Sequence, residues 1–182
     1  MPKIKQQPVP QMVLPVLKQA GIRIKNYKSV ASFEKDLQKF LKRNHVLHLC
    51  TCKKNSPRCT PLEYRLSGLT FYILSEGGGK FDNLKINKKV SFGIAEPYNS
   101  DEDYFSAKGV QAWGTVKVIG IKENPNKFHA ALKKMNIMKA MRKLGFKELP
   151  PNFNYRIIEI TPDRIKYGNL REGVYHITWE RK

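Results

Sequence analysis

The sequence predicts a mainly β fold, an antiparallel sheet closed as a barrel with two or three helices set between its strands. Three observations predict it. Short apolar runs of strand length, bounded by turn residues, recur from Val46 onward. Residues 110–121 alternate with a period of two over an unusual length. Helical periodicity is confined to a few segments, in an order unlike a repeating strand–helix–strand fold. A chain of 182 residues can bury roughly 70% of its surface on folding, enough for one domain with its own core.

Taken in order, residues 1–31 read as a basic, proline-punctuated arm with short apolar patches at 12–17 and 22–24. Ser32 then offers an N-cap, and Phe33, Leu37, Phe40 and Leu41 recur at helical spacing as far as Asn44. Residues 46–52 form a first strand, Asn55-Ser56-Pro57 a turn and residues 60–66 a second strand. Ser67-Gly68 turns the chain into a third, 69–75. Residues 76–79 open a short helix over 80–87, with Phe81 and Leu84 on one face, and residues 90–95 form a fourth strand. The acid-rich segment 96–103 reads as a solvated loop. In the long fifth strand Val110, Ala112, Gly114, Val116 and Val118 share one face, while Gln111, Trp113, Thr115 and Lys117 share the other. Asn124 and Pro125 open a helix striped by Phe128, Ala131, Leu132, Met135 and Met138, which Gly145 ends. Residues 155–160 and 164–167 read as a last hairpin across Thr161-Pro162-Asp163, and 170–182 as a tail of weak alternation. The domain reading is an arm (1–31), a barrel (32–169) and a tail (170–182), with six or seven strands in all.

The chain carries 34 basic and 15 acidic residues, a formal charge of +19. That field favours an anionic partner such as nucleic acid, anionic lipid or a phosphorylated small molecule. The excess comes from 25 lysines against nine arginines, dispersed over nearly every segment. Base readout leans on forked arginine contacts, so a dispersed lysine excess reads first as a solvated surface. No apolar run approaches the ~18 residues that span a bilayer, and no secretion signal is read at the start. With three cysteines and no disulfide framework, the expected compartment is the cytoplasm.

Motifs for hydrolytic chemistry are missing: no G-x-S-x-G, no H-E-x-x-H, no paired carboxylates at a telling spacing. His48, Cys50 and Cys52 alternate onto one strand face. Three ligands in a row on one strand wrap a tetrahedral ion poorly, so they read as small residues of a packed strand and no metal is expected. Ser75-Glu76-Gly77-Gly78-Gly79-Lys80 is more informative. It joins a strand to a helix, where glycines admit a phosphate closely, free N–H groups face it and Lys80 adds a point charge. It is not a Walker A loop, since Leu74 replaces the first glycine and Phe81 the magnesium-binding Ser/Thr.

The surrounding sequence adds weight. Val46-Leu47-His48-Leu49-Cys50-Thr51-Cys52 is followed by Pro57-Arg58-Cys59-Thr60-Pro61-Leu62-Glu63-Tyr64. Then come Leu69-Thr70-Phe71-Tyr72-Ile73-Leu74-Ser75 and the pattern Lys80-x-x-Asn83-Leu84-x-x-Asn87. Gly109-Val110-Gln111-Ala112-Trp113-Gly114-Thr115-Val116 and Ile158-Glu159-Ile160-Thr161-Pro162-Asp163-Arg164-Ile165 complete the succession. Over about residues 33–168 it resembles the pyridoxamine 5'-phosphate oxidase-like FMN-binding split-barrel family.

That resemblance implies a six-stranded antiparallel Greek-key split barrel, a homodimer with FMN at the subunit interface, and a small-molecule redox substrate. It gives Ser75, Lys80 and Arg58 to the FMN phosphate, lays Thr60, Pro61 and Leu62 along the flavin, and adds Asn83 one helical turn beyond Lys80. Gln111 and Trp113 are expected near the partner's flavin. Two features depart from the oxidase branch. Gly109 stands where that branch has a glutamine, with Gln111 two residues on, and residues 171–176 do not match its substrate-holding terminal motif. The resemblance therefore implies FMN binding more than vitamin B6 oxidation. Two other readings stay open: a flavin or heme binder without catalysis, using a histidine such as His48 or His176, and a basic β-barrel that binds nucleic acid through lysines and aromatics.

Overall fold

A computed structural model describes residues 1–182. Nine strands and five helices make a mainly β protein whose described ladders are antiparallel. The strands are β1 (Lys3–Gln6), β2 (Val46–Lys53), β3 (Ser56–Glu63), β4 (Arg65–Ser67), β5 (Thr70–Ser75), β6 (Lys89–Ala95), β7 (Lys108–Gly120), β8 (Arg156–Asn169) and β9 (Val174–Glu180). The helices are α1 (Leu14–Gln19), α2 (Val30–Arg43), α3 (Lys80–Ile86), α4 (Pro125–Met135) and α5 (Ile137–Lys143). Hydrogen bonding orders the strands β1-β9-β8-β7-β6-β2-β3, with β5 on β8 and β4 on β5. The chain divides into two compact units, and β6, β7 and β8 each run from one into the other.

The first unit holds residues 1–44, 92–113 and 163–182. Its helix α2 starts earlier than expected: Ser29 is the N-cap, and its hydroxyl accepts from the Ser32 N–H at 3.1 Å. The stripe Phe33, Leu37, Phe40 and Leu41 is fully buried, with Tyr167 against both phenylalanines. Segments expected as arm and tail are structured here. β1 pairs with β9 (Ile4 opposite Trp179), and Leu17 of α1 and Ile22 are buried. The alternation of β9 was hard to read because a bulge interrupts it. Val174 pairs with Asn169 but Ile177 with Tyr167, and His176 takes a φ of 41°. The acidic segment is not simply solvated. Glu96 binds Arg43 at 2.7 Å and Lys108 at 2.8 Å, and Asp103 binds Arg171. Burial raises the Glu96 carboxyl, but these partners and Asn44 outweigh it and hold it below the usual range.

The second unit holds residues 45–91 and 114–162. Lys54 and Asn55, both at positive φ, make the two-residue turn between β2 and β3. Ser56 and Pro57, expected in that turn, already belong to β3. The helix expected to run to Gly145 is broken at Asn136, whose φ of 51° ends α4 and starts α5. Phe128, Ala131, Leu132 and Met135 of α4 pack on Tyr72, Tyr155 and Ile157. The expected turn at Thr161-Pro162-Asp163 does not form. β8 runs straight through it, pairing with β5 through Phe71↔Ile160 to Ser75↔Arg156 and with β9 from Arg164 onward. Pro162 falls between the two ladders, after the last β5 pair at Ile160 and before the first β9 pair at Arg164.

Candidate functional site

The groups of interest lie in the second unit, where β3, β5, α3 and the start of β8 meet. β5 delivers Ser75 to the turn Gly77–Gly79, and α3 begins at once with Lys80. Gly78 needs its glycine, with φ at 102°. At Gly79 a Cβ would stand 3.2 Å from Nη1 of Arg58, close enough that the guanidinium would have to give by a few tenths of an ångström. The guanidinium of β3 thus lies directly over the turn.

Lys80 is 6% exposed, unusual for a lysine. Its Nζ donates to the Gly77 carbonyl at 2.5 Å and stands 4.9 Å from the Phe81 ring centre. Burial pulls its pKa down, and the positive charges of Arg58 and Arg156 pull it further. Arg156 sits opposite Ser75 in the β5–β8 register, and its guanidinium covers Phe81 at 4.2 Å. Three cations therefore converge on one glycine turn. Arg156 and Phe81 also line a cavity of about 340 Å³ with Lys85, Lys88, Asn154 and Glu123, so two further lysines and one carboxylate lie beyond the turn.

The sequence expectation of free N–H groups at this helix start is corrected for three residues. The N–H groups of Phe81, Asp82 and Asn83 all bond back to the Gly78 and Gly79 carbonyls. Those three N–H groups are therefore engaged within the first turn of α3, while the side chains of Arg58, Lys80 and Arg156 give the place its positive charge. Arg156 was missed from sequence because nothing in the local pattern distinguishes it from any strand residue; only the β5–β8 pairing brings it to Ser75.

The other expected residues fall as follows. Thr60 shares a strand face with Arg58, and its Oγ1 is buried without a hydrogen-bond partner. Such a hydroxyl is costly unless a ligand or a water completes it. Leu62 is half-buried and Pro61 exposed on the same strand. Ser75 turns its hydroxyl toward the Gly77 carbonyl at 3.4 Å. Asn83 is already engaged, since its amide donates to Thr51 Oγ1 at 3.0 Å and ties α3 to β2. Gln111 and Trp113 lie on β7 in the first unit, Gln111 exposed and Trp113 half-buried. Arg164 covers one Trp113 face at 4.2 Å.

The profile of the pyridoxamine 5'-phosphate oxidase family matches residues 33–168. The chain belongs to that family. The match spans α2 through β8, including the glycine turn and all three cations. No curated protein matches the sequence. Among solved structures, a FAD-binding protein from Mesorhizobium loti is 17% identical, with 81% of this chain and 93% of that one aligned and a TM-score of 0.52. The heme storage protein HutZ from Vibrio cholerae is 15% identical over 76% and 97%, with a TM-score of 0.58. General Stress Protein 26 from Bacillus anthracis is 18% identical over 74% and 92%, at 0.51. At these identities the likeness is one of fold, and it fits the split-barrel class. No helix of the family member described here is long and apolar enough to cross a membrane.

Proposed function

We propose that the protein binds FMN and is a flavin-dependent oxidoreductase exchanging two electrons with a small molecule. The observation that carries this reading is the convergence of Arg58, Lys80 and Arg156 on the glycine turn. A desolvated ammonium flanked by two guanidinium groups suits a phosphate monoester, which would offset their mutual repulsion. Bound FMN supplies the hydride or electron transfer itself. The chain's own residues bind and orient. Lys80, Arg58 and Arg156 hold the phosphate, with Ser75 beside it. The orphaned Thr60 hydroxyl takes a partner on the ligand, and Pro61 and Leu62 give the ring an apolar bed. Asn83 fixes α3 against β2 and so positions Lys80. Titration by flavin fluorescence tests the reading: FMN binds tightly, and riboflavin, which lacks the phosphate, binds at least tenfold more weakly. Equal affinities would remove the phosphate site.

The heme storage relative favours a second reading, in which His48 or His176 ligates heme; both are exposed. Absorbance separates the two, a flavin band supporting the first and a Soret band the second.

In the flavin reading a homodimer covers the flavin, with Gln111 or Trp113 near the partner's ring. Leu17, Ile22 and the α4 stripe are consumed in the protein's own cores and are not free for such an interface. Met12, Leu14 and Val16 remain exposed, at 83%, 46% and 49%. The expected dimer buries more than about 1,600 Å² in total. Charge of +19 per chain opposes it, but salt screens that repulsion beyond ~8–10 Å. Sedimentation with FMN bound should show a dimer at micromolar concentration, tightened by added salt; a monomer with FMN fully bound would rule out a shared site.

A further inference from the structure

We propose that Cys50 and Cys59 are a redox-modification site, closing reversibly into a disulfide across the β2–β3 hairpin. The inference is independent of the flavin reading. Cys50 and Cys59 are direct partners in the β2–β3 register. The Lys54-Asn55 turn makes Lys53↔Ser56 the hydrogen-bonded pair that closes the hairpin. Pairs then alternate along the ladder, so Thr51↔Arg58 exchanges hydrogen bonds and Cys50↔Cys59 does not. The prolines check this phase: Pro57 and Pro61, which have no N–H to give, fall opposite Cys52 and His48 in the same non-bonded set.

Phase decides the chemistry. Across a non-hydrogen-bonded pair the Cα atoms stand about 4.5 Å apart, with side chains on the same face. That lies inside the ~4.4–6.8 Å window a disulfide spans. Cys52 is the competitor. It is opposite Pro57 and only diagonal to Cys59, where Cα separations reach about 7–8 Å, beyond easy bridging.

Accessibility assigns an order to the two sulfurs. Cys59 is exposed on β3, the end strand of the order, and Cys50 is half-buried. Burial first, and then the neighbouring Cys59, hold the Cys50 thiol above its ordinary range. A peroxide oxidises Cys59 first: its thiolate sulfur takes one oxygen, the O–O bond breaks, and one water leaves. The Cys50 sulfur then attacks the sulfenic sulfur, the S–S bond forms, and the oxygen departs as a second water. Two thiols are oxidised, and one peroxide is reduced to two waters. The bridge closes on the face opposite Arg58 and Thr60, which flank Cys59 on the same strand.

The test is treatment of the native protein with equimolar hydrogen peroxide, followed by thiol alkylation, intact mass and peptide mapping. The expected product is a monomer lighter by two hydrogens, with one of its three thiols still alkylated, a Cys50–Cys59 linked peptide and full reversal by dithiothreitol. Cys52→Ser should still form the link, and Cys59→Ser, checked for folding by circular dichroism, should not. Three alkylated thiols after treatment, a link through Cys52, a bond between chains, or sulfinic acid at Cys59 would each overturn the proposal.

Discussion

Lys80→Ala should weaken FMN binding by about 1.5 kcal/mol or more, roughly tenfold, while leaving riboflavin affinity nearly unchanged. Lys80 is buried, faces two guanidinium groups and has only the Gly77 carbonyl as a hydrogen-bond acceptor. A phosphate dianion would neutralise that field in all three directions, so removing the ammonium subtracts a charge-assisted bond that only a phosphate ligand uses. Arg156→Gln should show the same selectivity, although nothing in its own sequence neighbourhood points to a ligand. The pH profile carries a sign. The pKa of Lys80 is depressed below 10.5, so the free protein loses this charge earlier than an ordinary lysine would as pH rises. FMN affinity should fall through that range, with proton uptake on binding, and Lys80→Ala should flatten the fall. Fluorescence titration of both ligands from neutral to alkaline pH reads all of this. Equal losses for FMN and riboflavin would place Lys80 away from the phosphate.

Much of this site was legible because it is local. Arg58, Thr60, Ser75 and Lys80 sit in short segments whose strand and turn character shows in the sequence. The resemblance of six ordered motifs supplied the rest of the assignment. What escaped was set by distant pairing. Arg156 matters through its place opposite Ser75, and Asn83 proved to be spoken for by Thr51 on another strand. The same division holds for the fold. α2, β2, β5, β6 and β7 announce themselves through period and length. β8 did not, because Thr161-Pro162-Asp163 has the composition of a turn yet lies where one strand passes between two ladders. β9 did not either, because the residue added at the bulge around His176 shifts the inward positions from a period of two.

Gly114→Ala should cost about 3 kcal/mol of stability, at the upper end for overpacking, because the group in the way is backbone. In sequence Gly114 is only a small residue on the inward face of a long alternating strand, between Ala112 and Val116. The structure gives it a sharper role. A Cβ at Gly114 would run into the Thr161 carbonyl oxygen and stand 2.8 Å from the Pro162 Cα. Side chains can rotate away from an added methyl. A strand held on its other side by the β5 ladder cannot, and Pro162 fixes its own φ besides. The clash also falls where β8 changes partners, so a shift there disturbs the Ile158 and Ile160 positions, both fully buried. Gly77→Ala is the matched control, since nothing lies within 4 Å of a Cβ at that position and its φ is not in the left-handed region. Denaturant unfolding of the two variants beside the wild type should show a large loss for Gly114→Ala and a change within about 0.5 kcal/mol for Gly77→Ala. Equal stability of all three would mean that β7 and β8 are not packed backbone to backbone at this point.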